Sequence, residues 1–218
     1  MLMKQFVVIG LGRFGFSLAK TLYELGHDVL GIDNDEEIVQ SVAESITHAV
    51  KADATDENAL KALGVRNFDV AVVSIGNDIQ SSILVTLILK EMGIKYVVAK
   101  ANSELHGRVL KKIGADRIVF PERDMGIRVA HNLTLSNILD YIELSPEYSI
   151  IEISALPAWY DKSLRQLNMR TKYGLNVIAI KRNGNIIISP NGDDMILRGD
   201  ILAVVGHKDD IENIEKHF

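Results

Sequence analysis

The first 120 residues alternate short apolar runs with segments in which apolar residues recur at helical spacing. The runs stand at 6–9, 29–32, 48–51, 70–75, 96–100 and 117–120. The helical segments stand at 14–25, 36–46, 56–64, 78–92 and 104–113. The strong runs are apolar throughout rather than at every second position, so we predict strands that are buried on both faces. Buried strands separated by helices are typical of a parallel sheet with helices on both sides.

The pattern changes after Pro121, which ends the sixth predicted strand. A helix is predicted over 122–139 and a connector over 140–148. Strands then stand at 150–153, 175–181, 185–189 and 201–205, and helices at 162–167 and 211–216. Asn183-Gly184, between two of these strands, is a strong hairpin signal. We therefore predict a Rossmann-like, doubly wound parallel α/β domain with its crossover helix over 1–136, followed by a small α+β domain over 137–218.

The composition is that of a folded globular protein, with 47% hydrophobic and 24% charged residues. The absence of cysteine excludes disulfides, thiolate nucleophiles and cysteine-ligated zinc or iron–sulfur sites. A net charge of −5 disfavours broad nucleic-acid binding, so we predict no nucleic-acid partner. The longest apolar run, 83–89, falls far short of the ~20 residues of a membrane span. The first residues lack a signal-peptide core, and we expect a soluble, cytoplasmic protein.

A glycine-rich turn follows the first predicted strand and opens the first predicted helix. Gly10, Gly12 and Gly15 form the pattern G-x-G-x-x-G, and the next strand closes on Asp33, 18 residues beyond the last glycine. In this context Gly10 allows a tight turn, Gly12 lets a pyrophosphate approach the backbone, and Gly15 lets helix and strand pack closely. The helix start attracts phosphate, while Asp33 can accept from both ribose hydroxyls and would repel the 2′-phosphate of NADP. A glycine-rich turn without a ligand is the alternative.

Further candidates lie where the predicted strands end, at the ligand-binding edge of such a sheet. Asp53, after the third strand, either contacts adenine through neighbouring backbone or caps a helix. Residues 75–77 follow the fourth strand and Lys100 ends the fifth, positions that suit either a ligand contact or ordinary loop chemistry. Arg13 either reaches a terminal phosphate, in its own chain or across an interface, or stands in solvent. His106 is the one histidine expected near this edge, with a surface position as the alternative.

No convincing reaction centre accompanies this loop. Tyr96-x-x-x-Lys100, with Ser82 upstream, is similar to the triad of short-chain dehydrogenases, whose tyrosine and lysine lie one helical turn apart. Here both fall on one predicted strand, where four residues span about 13 Å, and Ser82 falls inside an apolar helix. The histidines are scattered without metal-ligand spacing. We predict no catalytic residues and no enzyme activity, with an NAD-dependent oxidoreductase or an NAD(H) redox sensor as the alternatives.

Longer motifs extend through both predicted domains. They are VIGLGRFG at 8–15, Asp33, Lys100-Ala101, IGADRIV at 113–119, PERDM at 121–125, RTKYGLNVIAIKR at 170–182, Pro190 and GDIL at 199–202. Together they resemble the RCK (KTN) regulatory subunits of bacterial Ktr potassium uptake systems. The resemblance covers essentially the whole chain. It implies an RCK N-terminal nucleotide-binding domain followed by an RCK C-terminal subdomain.

The resemblance implies a cytosolic, nucleotide-sensing regulator without enzyme activity. It implies a homo-octameric ring, a tetramer of dimers, attached to the inner face of the membrane through the potassium-translocating subunit KtrB or KtrD. It also implies that ATP activates and ADP inactivates the transporter, with NAD(H) as a further ligand. By the same resemblance Arg13 reaches the γ-phosphate across the dimer interface, Asp33 holds the ribose, and Glu122 coordinates a divalent cation, Mg²⁺ or Ca²⁺. A simple complement to the helix dipole is the alternative role of Glu122.

The motif and the resemblance together predict one main site and a second one. The nucleotide site consists of Gly10, Gly12, Arg13, Phe14, Gly15, Asp33, Asp53, Ala54, Ile75, Gly76, Asn77, Lys100, His106 and Glu122. The second ligand implied is cyclic di-AMP, an inhibitor at the two-fold axis between C-terminal subdomains, with a polar subdomain interface as the alternative. Its expected contacts are Arg170, Asn176, Val177, Ile178 and Pro190. The helix after Pro121 is the expected crossover, and the segment near Asp140 the expected hinge.

Overall fold

The computed structural model describes residues 3–134 and 138–215 of the chain. Contacts between Cα positions divide the chain into two compact units, Met1–Glu122 and Arg123–Phe218. Each unit has its own sheet and its own hydrophobic core. The domain boundary predicted between residues 136 and 137 lies outside the described residues.

The first unit alternates strands with helices. Its strands are β1 (Gln5–Ile9), β2 (Asp28–Asp33), β3 (His48–Lys51), β4 (Val70–Val73), β5 (Tyr96–Lys100) and β6 (Arg117–Val119). Its helices are α1 (Arg13–Glu24), α2 (Glu36–Val42), α3 (Glu57–Ala62), α4 (Ile79–Glu91) and α5 (Glu104–Lys112). All strand pairs are parallel, in the order β3-β2-β1-β4-β5-β6. The predicted Rossmann-like sheet is confirmed.

Apolar side chains fill both faces of this parallel sheet. Successive residues of a strand point to opposite sides, so Val7 packs in the cluster beneath α3, α4 and α5, and Val8 in the cluster beneath α1 and α2. Both valines are fully buried. A strand covered on both sides has no polar face, which is why the sequence shows unbroken apolar runs.

The chain reverses its direction across the sheet after β3. Because β1 lies between β2 and β4, the chain first moves outward to β3 and then returns to the other side of β1. The connections that follow β1 and β4 therefore leave the sheet towards opposite faces. A crevice opens between the carboxyl ends of these two strands, the position where such sheets bind ligands.

A groove of about 660 Å³ lies beside α1, on the face of the sheet that α1 and α2 cover. Its lining combines side chains of α1 with those of β4, β5 and β6, and it includes Phe14, Leu18, Leu22, Val70, Val72, Tyr96, Val98 and Val119. Such a largely apolar surface is typical of one that packs against a further element.

The second unit is an antiparallel module. Helix α6 (Pro121–Thr134) leads into it, and its strands are β7 (Ile138–Glu143), β8 (Tyr148–Ser154), β9 (Lys162–Ser163), β10 (Asn176–Arg182), β11 (Asn185–Ile188), β12 (Met195–Ile196) and β13 (Ile201–His207). Its further helices are α7 (Leu164–Leu167), α8 (Met169–Tyr173) and α9 (Lys208–Glu215). Five strands pair in the order β11-β10-β13-β8-β7, and β9 pairs with β12. Trp159, the one tryptophan of the chain, is fully buried in this core.

The predicted hairpin between β10 and β11 is confirmed. Asn183 and Gly184 have φ angles of 48° and 80°. A two-residue type I′ turn requires positive φ at both positions, and asparagine followed by glycine meets that requirement with little strain.

Other predictions for this part of the chain are wrong. Residues 138 and 139, predicted as the end of a helix, belong to β7 instead. Residues 140–143 of the connector predicted at 140–148 belong to the same strand, where Tyr141 lies opposite Ile151 of β8. Asp140, expected in that connector, accepts two hydrogen bonds from Arg128, at 2.9 and 2.7 Å. The helix predicted from residue 162 begins at Leu164, and α8 was not predicted. Residues 138–143 form a strand because they pair with β8, and the local pattern of apolar and polar residues does not show that pairing.

In the part of the chain that the structure describes, no helix combines the length and the apolar character needed to cross a bilayer.

A buried carboxylate connects β10 to the turn before β13. Asp200 is 1% exposed and accepts two hydrogen bonds of 2.7 Å from the guanidinium of Arg182. It also accepts from the backbone N–H of Leu197 at 2.8 Å. Burial raises the pKa of Asp200, but the hydrogen bonds from Arg182 and Leu197 outweigh it and hold the pKa below its usual value. Asp200 therefore acts as an anion in the folded unit.

Replacing Asp200 by alanine should destabilise the second unit by about 3 kcal/mol, because the Arg182 guanidinium and the backbone N–H of Leu197 lose their charged hydrogen-bond acceptor. Urea unfolding followed by Trp159 fluorescence reports on this core. Since the pKa of Asp200 is lowered by folding, its contribution is present above pH ~4 and is lost as the pH falls through the folded-state pKa.

Asp193→Ala is the matched control for this substitution. It removes an aspartate from a pair with Arg165 in which the arginine and aspartate side chains are 73% and 80% exposed. Water replaces such a partner readily, so the stability should change little. Equal effects of the two substitutions would contradict a special role for the buried carboxylate of Asp200.

Candidate functional site

The crevice between β1 and β4 holds a cavity of about 350 Å³. That volume lies in the range of small-molecule and cofactor sites. The predicted site residues that line it are Gly10, Gly12, Asp33, Asp53, Ala54, Ile75, Gly76 and Asn77. The ends of β1 and β2 and the segments that follow β3 and β4 thus meet there, although the predicted site residues are up to 67 positions apart in the chain.

Two glycines of the loop are required by the protein's own packing. Gly10 has φ +91°, a conformation that other residues rarely adopt. A Cβ on Gly15 would stand 1.9 Å from the carbonyl oxygen of Gly10 and 2.4 Å from Ser74 Oγ. The fixed backbone of the loop therefore excludes any side chain at Gly15.

Gly12 is different, because its missing side chain leaves open space. A Cβ there would meet no described atom within 4 Å, and the residue has an ordinary φ of −61°. The protein's own structure therefore gives no reason for glycine at this position. A ligand group that approaches the backbone of the loop would give one.

The start of α1 presents backbone donors to this space. Gly12 is the N-cap residue, and no side chain in the described ranges caps the helix. The first bond of the helix runs from Phe16 N to Gly12 O at 2.8 Å, so the amides of the preceding residues lack a partner within the helix. Such amides, with the helix dipole, form a ready site for phosphate.

Asp33 is held in a fixed orientation at the end of β2. Its Oδ2 accepts from the backbone N–H of Leu11 at 2.6 Å, and its Oδ1 accepts from that of Asp35 at 3.0 Å. Each carboxylate oxygen has a further lone pair. The side chain therefore connects the glycine loop to β2 and can still accept from a ribose hydroxyl.

Ser74 is a site residue that the pattern did not reveal. It is buried at the end of β4, and its hydroxyl donates to the carbonyl oxygens of Ile9, at 3.0 Å, and Gly10, at 2.5 Å. It thereby attaches the loop after β1 to the neighbouring strand. The available signal was one hydroxyl residue in the apolar run 70–75, at the predicted ligand edge.

Asp53 lies beside the cavity as part of a tight turn. Its Oδ1 accepts from the hydroxyl of Thr55 at 2.7 Å and from the backbone N–H of the same residue at 2.9 Å. These bonds lower the pKa of Asp53, the hydroxyl bond most strongly. The helix-cap interpretation of Asp53 is wrong, because Asp56 caps α3 by accepting from Asn58 N.

A charged cluster adjoins the cavity at the end of β5. Lys100 is largely buried, and its ammonium donates to Glu122 Oε1 at 2.5 Å. The same ammonium lies 5.9 Å from the ring centroid of Phe14. The bond from Lys100 lowers the pKa of Glu122, with a smaller contribution from the charge of exposed Arg13. The sequence placed these residues at the site separately, and the structure brings them together.

His106 lies behind this edge. It is buried, so the surface position considered for it is wrong, and burial lowers the pKa of its imidazole. Its Nδ1 accepts from Asn102 N at 3.4 Å, and the Asn102 side chain donates to the carbonyl oxygen of Gly76. His106 therefore supports the cavity wall through Asn102.

The geometry does not assemble a short-chain dehydrogenase triad. Tyr96 and Lys100 stand at opposite ends of β5, and Ser82 is fully buried within α4. Within residues 3–134 and 138–215 no three His, Asp or Glu side chains come together as a metal site.

The positions predicted for a second ligand lie in the second unit. Arg170 is exposed on α8, Asn176 to Ile178 begin β10, and Pro190 follows β11. Ser189 N donates to Ile178 O at 2.9 Å, which places Pro190 close to the start of β10. The role of these residues stays a prediction.

Comparisons with known proteins cover both units. Residues 6–121 match the model of the TrkA-N domain, and residues 149–218 match that of the TrkA-C domain. The chain is 50% identical over 212 residues to Ktr system potassium uptake protein A of Bacillus subtilis (strain 168), covering 97% of this chain and 96% of that protein. It is 51% identical over 213 residues to Ktr system potassium uptake protein C of the same organism, covering 98% and 96%.

A solved structure shares the fold. The GsuK RCK domain matches with a TM-score of 0.68 at 17% identity, covering 99% of this chain and 47% of that chain. At this identity the likeness concerns the fold alone.

Gly12→Ala should lower the stability by at most about 1 kcal/mol, the difference between glycine and alanine at an N-cap, and should weaken nucleotide binding about tenfold, because its methyl group occupies the space of an approaching phosphate. Gly15→Ala should instead cost about 3 kcal/mol of stability through its clash with the backbone of Gly10. Thermal unfolding and isothermal titration calorimetry measure the two effects. Normal nucleotide binding by Gly12→Ala would show that the loop does not hold the phosphates.

Proposed function

This chain belongs to the family that combines a TrkA-N domain with a TrkA-C domain, and we propose that it is the nucleotide-sensing regulatory subunit of a bacterial Ktr potassium uptake system. The observation that carries the proposal is the identity of about half of its residues with two Bacillus subtilis Ktr proteins along nearly their whole length. The similarity extends through both units. The proposed role is regulation, without enzyme activity.

The crevice of the first unit is the proposed site for ATP and ADP. The uncapped start of α1 and the open space at Gly12 suit phosphates, and the oriented carboxylate of Asp33 suits a ribose. Lys100 adds a cation at the edge. NAD(H) contains the same adenosine diphosphate group and is proposed as a further ligand.

Arg13 and Glu122 are proposed to act at the interface between two copies. Both residues are exposed in the single chain. Arg13 would contact the γ-phosphate bound by the second copy, because a guanidinium pairs well with phosphate oxygens. Glu122 would coordinate Mg²⁺ or Ca²⁺ together with nucleotide oxygens and ligands from the second copy.

The proposed assembly is a homo-octameric ring, a tetramer of dimers. The largely apolar groove beside α1 supports an interface on the first unit. Met125, Ile127 and Val129 of α6 are exposed apolar residues and support an interface on that helix. The ring is proposed to lie in the cytoplasm, bound peripherally to the membrane through the potassium-translocating subunit KtrB or KtrD.

ATP is proposed to activate this system and ADP to inactivate it. A ligand shifts a conformational equilibrium only by its difference in affinity for the two states. A tenfold shift requires about 1.4 kcal/mol, and a hydrogen bond to a charged group contributes about 1.5–3 kcal/mol. One contact of Arg13 with the third phosphate would therefore suffice.

Cyclic di-AMP is the proposed inhibitory ligand of the second unit. Asn176 and Ile178 are exposed beside Pro190, which supports a binding surface there. The exposed guanidinium of Arg170 could neutralise the phosphates of the dinucleotide. A titration with cyclic di-AMP, with Arg170→Ala as the comparison, tests the site. Unchanged binding by Arg170→Ala would remove that residue from it.

Arg13→Ala should weaken ATP binding about tenfold and leave ADP binding nearly unchanged, because the guanidinium contacts only the third phosphate. Lys20→Ala is the matched control, since it removes the same charge from an exposed position of α1. Calorimetry with both nucleotides and light scattering of the assembly are the measurements.

Several results of this experiment would contradict the proposal. A protein that binds neither nucleotide, or that stays a monomer with both, would not be the proposed switch. Oxidation of NADH with a small carbonyl substrate would favour an oxidoreductase. Binding of NADH without ATP or ADP binding would favour a redox sensor.

A further inference from the structure

The ion pair between Lys100 and Glu122 joins two residues of very unequal exposure. The side chain of Lys100 is 10% exposed and that of Glu122 is 68% exposed. A buried ammonium without an anionic partner is costly, whereas an exposed carboxylate is readily solvated by water. If the pair separates, Glu122 is therefore the residue that can leave, and Lys100 requires another anion.

The Lys100 ammonium lies beside the elements proposed to bind phosphate. It is 5.9 Å from the ring centroid of Phe14, in the first turn of α1. A Cβ on Gly76, which lines the cavity, would stand 3.4 Å from the same ammonium nitrogen. A phosphate chain that extends past the glycine loop towards Gly76 therefore meets Lys100.

We propose that Glu122 and the third phosphate of ATP compete for Lys100. The inference rests on the proposed function, because it assumes that the crevice binds adenine nucleotides. Without nucleotide, Lys100 is neutralised by Glu122. With ATP, Lys100 pairs with the third phosphate and Glu122 is released, whereas ADP lacks that phosphate and leaves the ion pair closed.

The release has a consequence for α6. Glu122 stands in the first turn of this helix and is the last residue of the first unit. The ion pair therefore attaches the start of α6 to the end of β5. ATP, and not ADP, removes this attachment at the point where the chain leaves the first unit, and it makes the Glu122 carboxylate available to a cation.

The test measures nucleotide affinity in a chelator, so that no divalent cation takes part. Glu122→Gln should raise the affinity for ATP about threefold, because the carboxylate no longer competes for Lys100, and should leave that for ADP nearly unchanged. Lys100→Gln should lower the affinity for ATP about tenfold. In the Lys100→Gln background, Glu122→Gln should give no further gain, since no ammonium remains to compete for.

Glu24→Gln is the matched control, because it removes the same charge from an exposed pair with Lys20 and should bind both nucleotides as the unmodified chain does. Lys100→Met, of similar length, replaces the glutamine variant if the latter fails to fold.

Two results would overturn the competition. An ATP affinity of Glu122→Gln equal to or below that of the unmodified chain would show that the carboxylate does not compete. A gain that persists in the Lys100→Gln background would show direct repulsion of phosphate instead. Failure of the unmodified chain to bind ATP or ADP would instead overturn the proposed function itself.

Discussion

Helix α1 approaches the end of β1 so closely that a single methyl group would not fit between them. The nearest obstacles to a Cβ on Gly15 are the carbonyl oxygen of Gly10 at 1.9 Å and Ser74 Oγ at 2.4 Å. This contact fixes the start of the helix relative to β1 and β4, and with it the direction of the first backbone N–H groups. Asp33 depends on the same loop, because it accepts from Leu11 N. The geometry of the crevice follows from this close packing.

The electrostatics of the site are local. The whole chain carries a net charge of −5, yet the proposed phosphate site depends on backbone amides, Lys100 and Arg13. Helix dipoles and oriented amides contribute fixed partial charges that a count of side chains omits. An acidic composition therefore weighs against broad contact with nucleic acid and does not weigh against one bound nucleotide.

The two units have separate cores and different means of stabilisation. The first buries apolar strands on both faces, whereas the second also holds a buried carboxylate, Asp200, paired with the partly exposed Arg182. A regulatory signal between such units requires a connection whose state depends on a ligand. The Lys100–Glu122 pair lies where the chain passes from one unit to the other. A ligand that opens or closes this pair would therefore change the connection between the units.

The sequence by itself determined β1 to β6, the glycine loop and the β10–β11 hairpin. Strands buried on both faces leave unbroken apolar runs, and the φ angles of Gly10 and Gly184 restrict the residue type locally. Only the tertiary structure decided β7, which is a strand because it pairs with β8. It alone showed Ser74 holding the loop and Lys100 paired with Glu122, 22 positions away. Such contacts depend on which strand ends meet in space, and a local pattern of apolar and polar residues carries no record of that.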